Sequence, residues 1–550
     1  MFVKIIEKIR KILVKNFFLI SIIAISFFYL IPLLNDQFYV SHDGEAHVAR
    51  FAAYSKAFSD GQLIPRWASD LNSGYGTPLF IFFYPLPGYI ASFLHVFGFE
   101  FEIIFKIIII SSFTLAPVFL FLWLKTKARE ELAFIASTLY LVLPYRFLDT
   151  YVRGDIAEML SFVFIPLIFH FIDKVQKEKK IVPMILGGIF YSLFILAHNG
   201  IAVIFAPVFF VYVFIFAKSR REFFASFGVF IIGAVLSSFF WMPAMLEAKY
   251  VFSKLFIEEL YKENFISFWN LLYSTWGFGP AVNLPGGQSP QLGILYSTIP
   301  FLAFFLLRKM KEKKEIIFWL LILFFSILMT TQYSAFIWER MPVIKLLGYP
   351  WRFSALSGFA SCMVIFCLLQ LLKNRVLLYL LLGLFLLSSI PFVKVNKYID
   401  KNDEFYYSYQ GTTDYHRRTS PIWTETDFWK KAENQFEIIS GEGKLENIRK
   451  ESIKHMVDVQ TKSKVAVVDN TVYFPGWRVR IDGEKTPIEF QDQNHRGLIT
   501  FNVPKGKHNV EVKFGESKVR ILSDIISLIA ITGIVLAVFF RKWIKQYLKI

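Results

Sequence analysis

The residues best suited to acid–base chemistry lie in one short stretch, Ser41–His47. It places the carboxylates of Asp43 and Glu45 beside the imidazoles of His42 and His47. A carboxylate or imidazole within reach of a hydroxyl group can accept or guide its proton during a transfer reaction. These four side chains are therefore candidate site residues.

Further along the chain, a second polar stretch supplies more carboxylates together with cations. Its acidic residues are Asp149, Asp155 and Glu158, and its basic residues are Arg146 and Arg153. A nearby arginine favours the charged form of a carboxylate. We therefore expect the two arginines to pair with the acidic groups or to steer them.

Three single residues complete the set of candidate binding groups. Arg66 precedes a series of glycine-rich turns, His198 stands at a turn between two apolar runs, and Arg352 follows a Gly-Tyr-Pro-Trp sequence. Arginine side chains at such positions are suited to binding an anion, and His198 is a further candidate substrate-binding residue.

Apolar runs of membrane-spanning length must position these residues. The chain has 550 residues, of which 55% are hydrophobic, and a mean hydropathy of +0.47. Because about 20 predominantly apolar residues cross a bilayer as a helix, the recurrent runs predict a mainly α, polytopic membrane protein.

Clusters of lysine and arginine between the apolar runs determine the predicted orientation. Basic residues are enriched in cytoplasmic loops, and placing every cluster inside gives twelve spans with both termini cytoplasmic. The net charge of +17 then comes mostly from flanks that face anionic headgroups, so it does not indicate nucleic acid as a partner. The predicted spans fall near 17–34, 104–124, 132–147, 159–173, 181–197, 201–217, 223–243, 292–307, 315–333, 353–372, 376–393 and 522–540.

One more apolar stretch, Leu79–Phe97, is long enough to cross, but a span here would invert every later loop. The prolines around it disfavour a spanning helix, which predicts an external juxtamembrane or re-entrant segment. The first apolar run has no small-residue cleavage site and is expected to remain as an anchor. Cys362 and Cys367 share one apolar run, which leaves no disulfide framework and no zinc pattern.

The composition changes sharply near the C-terminus, where charged and polar residues dominate. Alternating apolar residues such as Ile499, Phe501 and Val503 predict strands, and Asp482-Gly483 predicts a hairpin turn. We therefore expect a small extracytoplasmic antiparallel β-domain, built as a sandwich. The predicted division is a membrane domain at 1–393 with an external loop at 35–103, the β-domain at 394–521, a last span at 522–540 and a basic cytoplasmic tail at 541–550.

Several short motifs, in their order along the chain, resemble a known class of membrane enzyme. Asp43 after the first span, the Gly-Thr-Pro-Leu sequence at 76–79 and the second acidic loop resemble the GT-C glycosyltransferases, polytopic enzymes that use polyprenyl-phosphate-linked sugars. Tyr473–Trp477, followed by Asp482-Gly483, is similar to the outer β-domain of the YfhO-type membrane glycosyltransferases.

A closer resemblance is to the membrane proteins labelled 6-pyruvoyl-tetrahydropterin-synthase-related. The residues that carry it are His42–His47, Arg153–Asp155 and Tyr349–Phe353. The label describes no activity of this chain, since nothing in it resembles a pterin synthase.

These resemblances imply roles for individual residues. Asp43 matches the first-loop carboxylate that acts as general base or positions the acceptor, and Asp155 matches the second-loop acidic residue, with Asp149 or Glu158 as alternatives. The implied donor is a polyprenyl-phosphate-linked sugar in the membrane lipid, and the acceptor is a glycan, a lipid or a protein at the outer face. A departing phosphate needs cations, and a divalent metal ion is a candidate cofactor.

Each candidate also has a purely structural interpretation. Asp43 could cap the helix that follows it, and Asp155 could be a solvated loop residue paired with Arg153. His198 could be an interfacial histidine with satisfied hydrogen bonds, and Arg352 could anchor its helix in the headgroups. A metal site in Ser41–His47 would require a convergence of ligands that the sequence does not show.

Two other functions remain open. A transporter or flippase of lipid-linked glycans would need charged or broken helices at mid-membrane depth, and Pro117, Pro166 and His170 are the main candidates. A non-enzymatic envelope assembly or sensor protein would use the β-domain to bind a partner and the membrane part as scaffold.

Overall fold

The computed structural model describes residues 14–252, 260–310, 313–414, 417–424 and 430–539. The predicted cytoplasmic tail at 541–550 and the basic residues before Val14 lie outside these ranges. The chain divides into two compact units. The first unit comprises Met1–Glu45, Phe105–Ala234 and Glu258–Lys401, and the second comprises Ala46–Ile104, Val235–Ile257 and Asn402–Ile550.

Helices account for most of the described residues, as the apolar runs predict. The hydrocarbon core of a membrane offers no hydrogen-bond partners, and a helix pairs its backbone N–H and C=O groups internally. The longer helices are Phe17–Tyr29, Gly44–Ser59, Leu86–Val96, Phe101–Leu124, Glu130–Leu141, Ile156–Glu178, Ile181–Ala197, Asn199–Phe216, Arg220–Leu236, Ser238–Leu246, Lys313–Thr330, Phe353–Leu369, Arg375–Ser389 and Lys518–Phe539. Shorter helices are Leu79–Phe82, Pro144–Phe147, Phe268–Leu272, Ile294–Thr298, Leu302–Leu306, Ala335–Arg340, Pro342–Lys345 and Asp403–Tyr407.

Six helices of the described ranges are long and apolar enough to cross a membrane, or up to nine if each of three bent pairs is one span. Each predicted span overlaps helical residues, but the number of twelve and the orientation stay predictions. The stretch Leu79–Phe97 forms two short helices, Leu79–Phe82 and Leu86–Val96, neither of spanning length.

A proline inside a helix leaves one backbone carbonyl without its usual donor, and at Pro166 a side chain replaces that donor. Pro166, inside Ile156–Glu178, has no N–H to offer the carbonyl oxygen of Phe162. The hydroxyl of Tyr140 donates to that oxygen at 3.4 Å. A helix that contains proline can therefore remain in an apolar environment.

The predicted β-domain is present as two antiparallel sheets, both in the second unit. In chain order the strands are β1 (Phe38–Tyr39), β2 (Tyr398–Ile399), β3 (Phe436–Ser440), β4 (Gly443–Lys450), β5 (Lys454–Thr461), β6 (Val465–Val472), β7 (Trp477–Ile481), β8 (Glu484–Thr486), β9 (Leu498–Val503) and β10 (Gly506–Phe514). One sheet of the β-domain has the order β4-β5-β10-β7-β8 and the other β3-β6-β9. β1 pairs with β2 in the first unit.

The alternating apolar residues form the core between the two sheets, as predicted. Val479 of β7 and Val510 and Val512 of β10 are fully buried, and Phe501 of β9 packs in the same cluster. The cluster also includes Trp67, which lies in the segment 35–103. The second unit therefore combines the sandwich with part of that segment.

Candidate active site

The second polar stretch starts where the helix Glu130–Leu141 ends and the chain bends by 48° into Pro144–Arg153. Within this segment, Leu148–Arg153 forms a single π-helical turn. It ends at Gly154, which has a φ of +65°. π-helical turns are rare and occur often at functional sites.

Arg153 is the centre of a buried ion-pair network in this segment. One of its terminal nitrogens, Nη1, donates to the carboxylate of Asp149 and to the hydroxyl of Tyr145 at 3.3 Å. The other, Nη2, donates to Asp155 at 2.7 Å and to Glu158 at 3.0 Å. Because Arg153 is only 3% exposed, these bonds are shielded from water and hold three carboxylates together.

Glu158 connects this network to a residue 194 positions later, Arg352. The Nε of Arg352 donates to Oε1 of Glu158 at 2.9 Å, and its Nη1 donates to the carbonyl oxygen of Leu347 at 2.7 Å. The ring of Trp351 lies 4.6 Å from the guanidinium of Arg153. We call the five charged residues the loop cluster: Asp149, Arg153, Asp155, Glu158 and Arg352.

Asp155 also begins the helix Ile156–Glu178. Its Oδ1 accepts hydrogen bonds from the backbone N–H groups of Ala157 at 3.2 Å and Glu158 at 3.0 Å. The predicted pairing with Arg153 is therefore present, but Asp155 is buried rather than solvated. The capping bonds fix its orientation.

The stretch Ser41–His47 meets the loop cluster through its backbone. The N–H groups of His42 and Asp43 donate to the carbonyl oxygens of Val152 at 2.9 Å and Arg153 at 2.8 Å. A side chain at position 154 would clash with Ser41. The sequence needs glycine there both for this close approach and for the positive φ.

The side chains next to Asp43 have partners in the first unit. His42 Nε2 lies 2.8 Å from the carbonyl oxygen of Phe278, and Lys401 pairs with Glu45 at 2.6 Å. Burial lowers the pKa of His42, although the hydrogen bond to Phe278 acts in the opposite direction. The neutral imidazole therefore donates from Nε2, and its Nδ1 is an acceptor.

His198 caps the helix Asn199–Phe216 beside Glu158. Its Nδ1 accepts from the N–H of Ile201 at 3.0 Å, and its Nε2 lies 3.9 Å from Oε1 of Glu158. The predicted alternative of an interfacial histidine with a hydrogen-bond partner is thus consistent with its position.

Asp155, Glu158 and His198 each offer one ligand atom, and these atoms lie within 4.8 Å of one another. The donor set nevertheless does not fit a divalent metal ion. Since Nδ1 of His198 accepts a hydrogen bond, the neutral ring carries its proton on Nε2, which leaves that atom no lone pair. Two arginines also already occupy the carboxylates.

Two other predicted site residues belong to the second unit. Arg66 donates to the carbonyl oxygen of Phe239 at 2.9 Å and to Asp524 at 2.8 Å. His47 Nδ1 lies 3.5 Å from Nη1 of Arg50. The substrate-binding role of Arg66 and His47 stays a prediction.

The comparison with protein families gives one match that covers more than half of the chain. Residues 80–395 match the model of the 6-pyruvoyl-tetrahydropterin synthase related domain, described as a membrane protein. The chain belongs to this family. The resemblance expected from the sequence is therefore confirmed, and the matched residues include the whole loop cluster.

A search of solved structures finds a cryo-EM structure of the arabinofuranosyltransferase AftD from Mycobacteria. The match has 16% sequence identity and a TM-score of 0.39, and it covers 68% of this chain. The chain spans 26% of the length of that enzyme. A search of curated proteins returns no significant match.

The sequence analysis did not select Tyr145 as a site residue, and it named Asp149 only as an alternative to Asp155. A signal for both was present, because Tyr145, Asp149 and Arg153 recur at a spacing of four and so share one face of a helix.

Arg146 was expected to pair with the carboxylates or to steer them. Among the described residues its hydrogen bonds go to backbone carbonyls, so pairing is not observed and steering stays a prediction.

Proposed function

We propose that this family member is a membrane glycosyltransferase of the GT-C type. It transfers a sugar from a polyprenyl-phosphate donor to an acceptor hydroxyl group at the outer face of the membrane. The acceptor oxygen attacks the anomeric carbon while the bond from that carbon to the phosphate oxygen breaks. The phosphate leaves with the electron pair, and the carboxylate of Asp43 takes the hydroxyl proton.

The observation that supports this proposal best is the exposure of Arg352. The carboxylate side chains of the loop cluster are 0–4% exposed, whereas the side chain of Arg352 is 13% exposed. The charge that the cluster presents at its edge is therefore positive. A guanidinium held in place by Glu158 is suited to binding phosphate.

The other members of the cluster act through Arg352 and Asp43. Arg153 and Glu158 form hydrogen bonds with each other and with neighbouring residues of the cluster. We therefore assign them the role of positioning the other side chains. Asp155 supports the site from the start of its helix. Asp43 lies next to this assembly because its backbone bonds to Arg153.

Transfer of labelled sugar from a polyprenyl-phosphate donor, in vesicles that contain the purified protein, tests the proposal. Asp43→Asn should lower the rate by about 10²- to 10⁴-fold, because it removes the base and keeps the shape of the side chain. Asp36→Asn is the matched control, since Asp36 is an exposed residue of the same external loop. It should transfer at the wild-type rate.

Thermal unfolding measured in parallel separates loss of chemistry from loss of folding. If Asp43→Asn is folded and transfers sugar as fast as the wild-type protein, Asp43 is not the base. If the wild-type protein moves the intact donor across the vesicle membrane without transferring sugar, it is a flippase and the proposal is wrong.

A further inference from the structure

Arg146 is a buried arginine whose hydrogen bonds go to the backbone. Its side chain is 1% exposed. Nη2 donates to the carbonyl oxygens of Phe113 at 2.7 Å and Ser112 at 3.3 Å, and Nη1 donates to that of Tyr140 at 3.3 Å. A charged group that is buried this deeply is costly, so its partners must compensate it.

Two of these carbonyls lack an N–H donor from their own helix. In Phe101–Leu124, the residue four after Phe113 is Pro117, which has no N–H. Tyr140 lies in the last turn of Glu130–Leu141, and the residue four after it is Pro144. Arg146 thus supplies donors where two prolines cannot.

The aromatic rings of the same residues enclose the guanidinium. Its central carbon lies 4.7 Å from the ring centre of Phe113 and 5.0 Å from that of Tyr140. Ring faces attract a cation electrostatically. Phe113 and Tyr140 therefore bind Arg146 through both backbone and side chain.

Arg146 also connects to the π-helical turn that carries the loop cluster. Its carbonyl oxygen accepts a hydrogen bond from the hydroxyl of Thr150 at 2.7 Å. Thr150 follows Asp149 directly and lies inside Leu148–Arg153. Movement of Arg146 would therefore displace the turn from which Asp149 and Arg153 reach the other charges.

We propose that Arg146 is a positioning residue. By donating hydrogen bonds to the carbonyl oxygens of Phe113 and Tyr140, it fixes the bend between Glu130–Leu141 and Pro144–Arg153, the segment that carries Asp149 and Arg153 of the loop cluster. Its importance for catalysis rests on the proposed function. Its role in setting the bend does not, and can be measured without any substrate.

A thermodynamic cycle in the detergent-solubilised full chain tests this role. Arg146→Met should lower the unfolding midpoint by several degrees. In a Pro117→Ala background the N–H of residue 117 can donate to the carbonyl oxygen of Phe113. Arg146→Met should then lower the unfolding midpoint by about half as much or less. Pro207→Ala is the control, because Pro207 lies in another helix, Asn199–Phe216, and should leave the cost of Arg146→Met unchanged.

Two further measurements keep the test decisive if Arg146→Met folds poorly. Arg146→Lys retains a charged donor and should recover part of the midpoint. Amide hydrogen exchange should rise in Arg146→Lys over residues 144–153 but not over the helix Ile181–Ala197. The proposal would be overturned if Arg146→Met lowered the unfolding midpoint equally in the wild-type and Pro117→Ala backgrounds. Unchanged amide hydrogen exchange over residues 144–153 in Arg146→Lys would also overturn it.

These outcomes do not depend on the proposed function. If the cycle succeeds while no sugar transfer is found, the proposed function fails and Arg146 still sets the bend. If transfer is found and the cycle fails, the proposed function stands and Arg146 has no positioning role.

Discussion

Two buried ion-pair clusters of this protein have the same charge composition and opposite exposure. The loop cluster of the first unit combines two arginines with three carboxylates. A second set in the second unit, the anchor cluster, does the same with Arg66, Glu247, Glu516, Arg520 and Asp524. Its arginine side chains are 0–3% exposed, whereas those of Glu516 and Asp524 are 36% and 25% exposed.

Under the proposed function, this difference separates a binding arrangement from a structural one. The anchor cluster presents carboxylates, which would repel a phosphate. Its arginines also serve the backbone: Arg520 donates to the carbonyl oxygen of Pro475 at 2.6 Å, and Arg66 donates to that of Phe239, four residues before Pro243. The loop cluster presents a cation at its edge instead. We therefore propose that two arginines and three carboxylates stabilise the fold in the anchor cluster and offer a site to an anion in the loop cluster.

The largest expected effect comes from removing the centre of the loop cluster. Arg153→Met would leave three buried carboxylates without their shared partner, and breaking a buried pair in this way costs about 3–5 kcal/mol. We expect a large drop in the thermal unfolding midpoint. Arg340→Met, at an exposed arginine, should change stability by less than about 0.5 kcal/mol. Equal stability of the two variants would contradict the network.

Gly154→Ala should disrupt the contact between the stretch Ser41–His47 and the segment that carries the loop cluster. The left-handed backbone costs an alanine about 1–2 kcal/mol, and overpacking against Ser41 adds about 1–3 kcal/mol. Gly98→Ala is the matched control, since Gly98 has a φ of +87° but nothing within 4 Å of an added Cβ. A difference in unfolding free energy between the variants measures the clash; no difference would mean that the two segments are not in contact.

Arg520→Gln tests the structural side of the comparison. Losing its hydrogen bond to Glu247, at 3.0 Å, should cost about 1.5–3 kcal/mol, because a bond to a charged group is worth that much. This is less than for Arg153, because Arg153 is shared by three buried carboxylates, whereas Glu516, the second partner of Arg520, is 36% exposed and screened by water. Polyprenyl phosphate binding should not change. Weaker binding in a stable Arg520→Gln protein would remove the distinction between the clusters.

The smallest effect is expected at an exposed pair outside both clusters, His508 and Asp482. The hydrogen bond between them raises the pKa of His508 and lowers the pKa of Asp482 from their ordinary values of 6.5 and 3.8. The pair therefore stabilises the fold most between these values, and the contribution of His508 is lost as the pH rises through its raised pKa. His508→Gln should lower the unfolding midpoint more at about pH 5.5 than at about pH 8.5. An equal shift at both pH values would contradict this.

The sequence predicted the second unit's sheets better than the connections of either cluster. Alternation at Val479, Phe501 and Val510 indicates buried strand faces directly, because the side-chain period of a strand is two. The polar residues of the loop cluster were visible as candidates. Their pairing was not, since Glu158 and Arg352 are far apart in the chain and only the folded backbone brings them together.

Arg66 and Arg146 show a second limit. Arg66 was expected to bind an anion, and Arg146 to pair with or steer carboxylates. Each also donates to a carbonyl oxygen that lies four residues before a proline. The prolines are visible in the sequence, but the distant segment that supplies the donor is not. A buried arginine in an apolar run can therefore serve the backbone as well as a carboxylate.

Binding of a labelled long-chain polyprenyl monophosphate to the full chain in vesicles tests most directly whether the loop cluster presents its cation to a phosphate. Arg352→Gln should raise the dissociation constant by about tenfold or more, since losing a charged hydrogen bond costs about 1.5–3 kcal/mol. Arg340→Gln and Arg520→Gln should bind like the wild-type protein, and the unphosphorylated polyprenol should not distinguish the four proteins. If folded Arg352→Gln binds the phosphate as tightly as the wild-type protein, the loop cluster is not a phosphate site and the account is wrong.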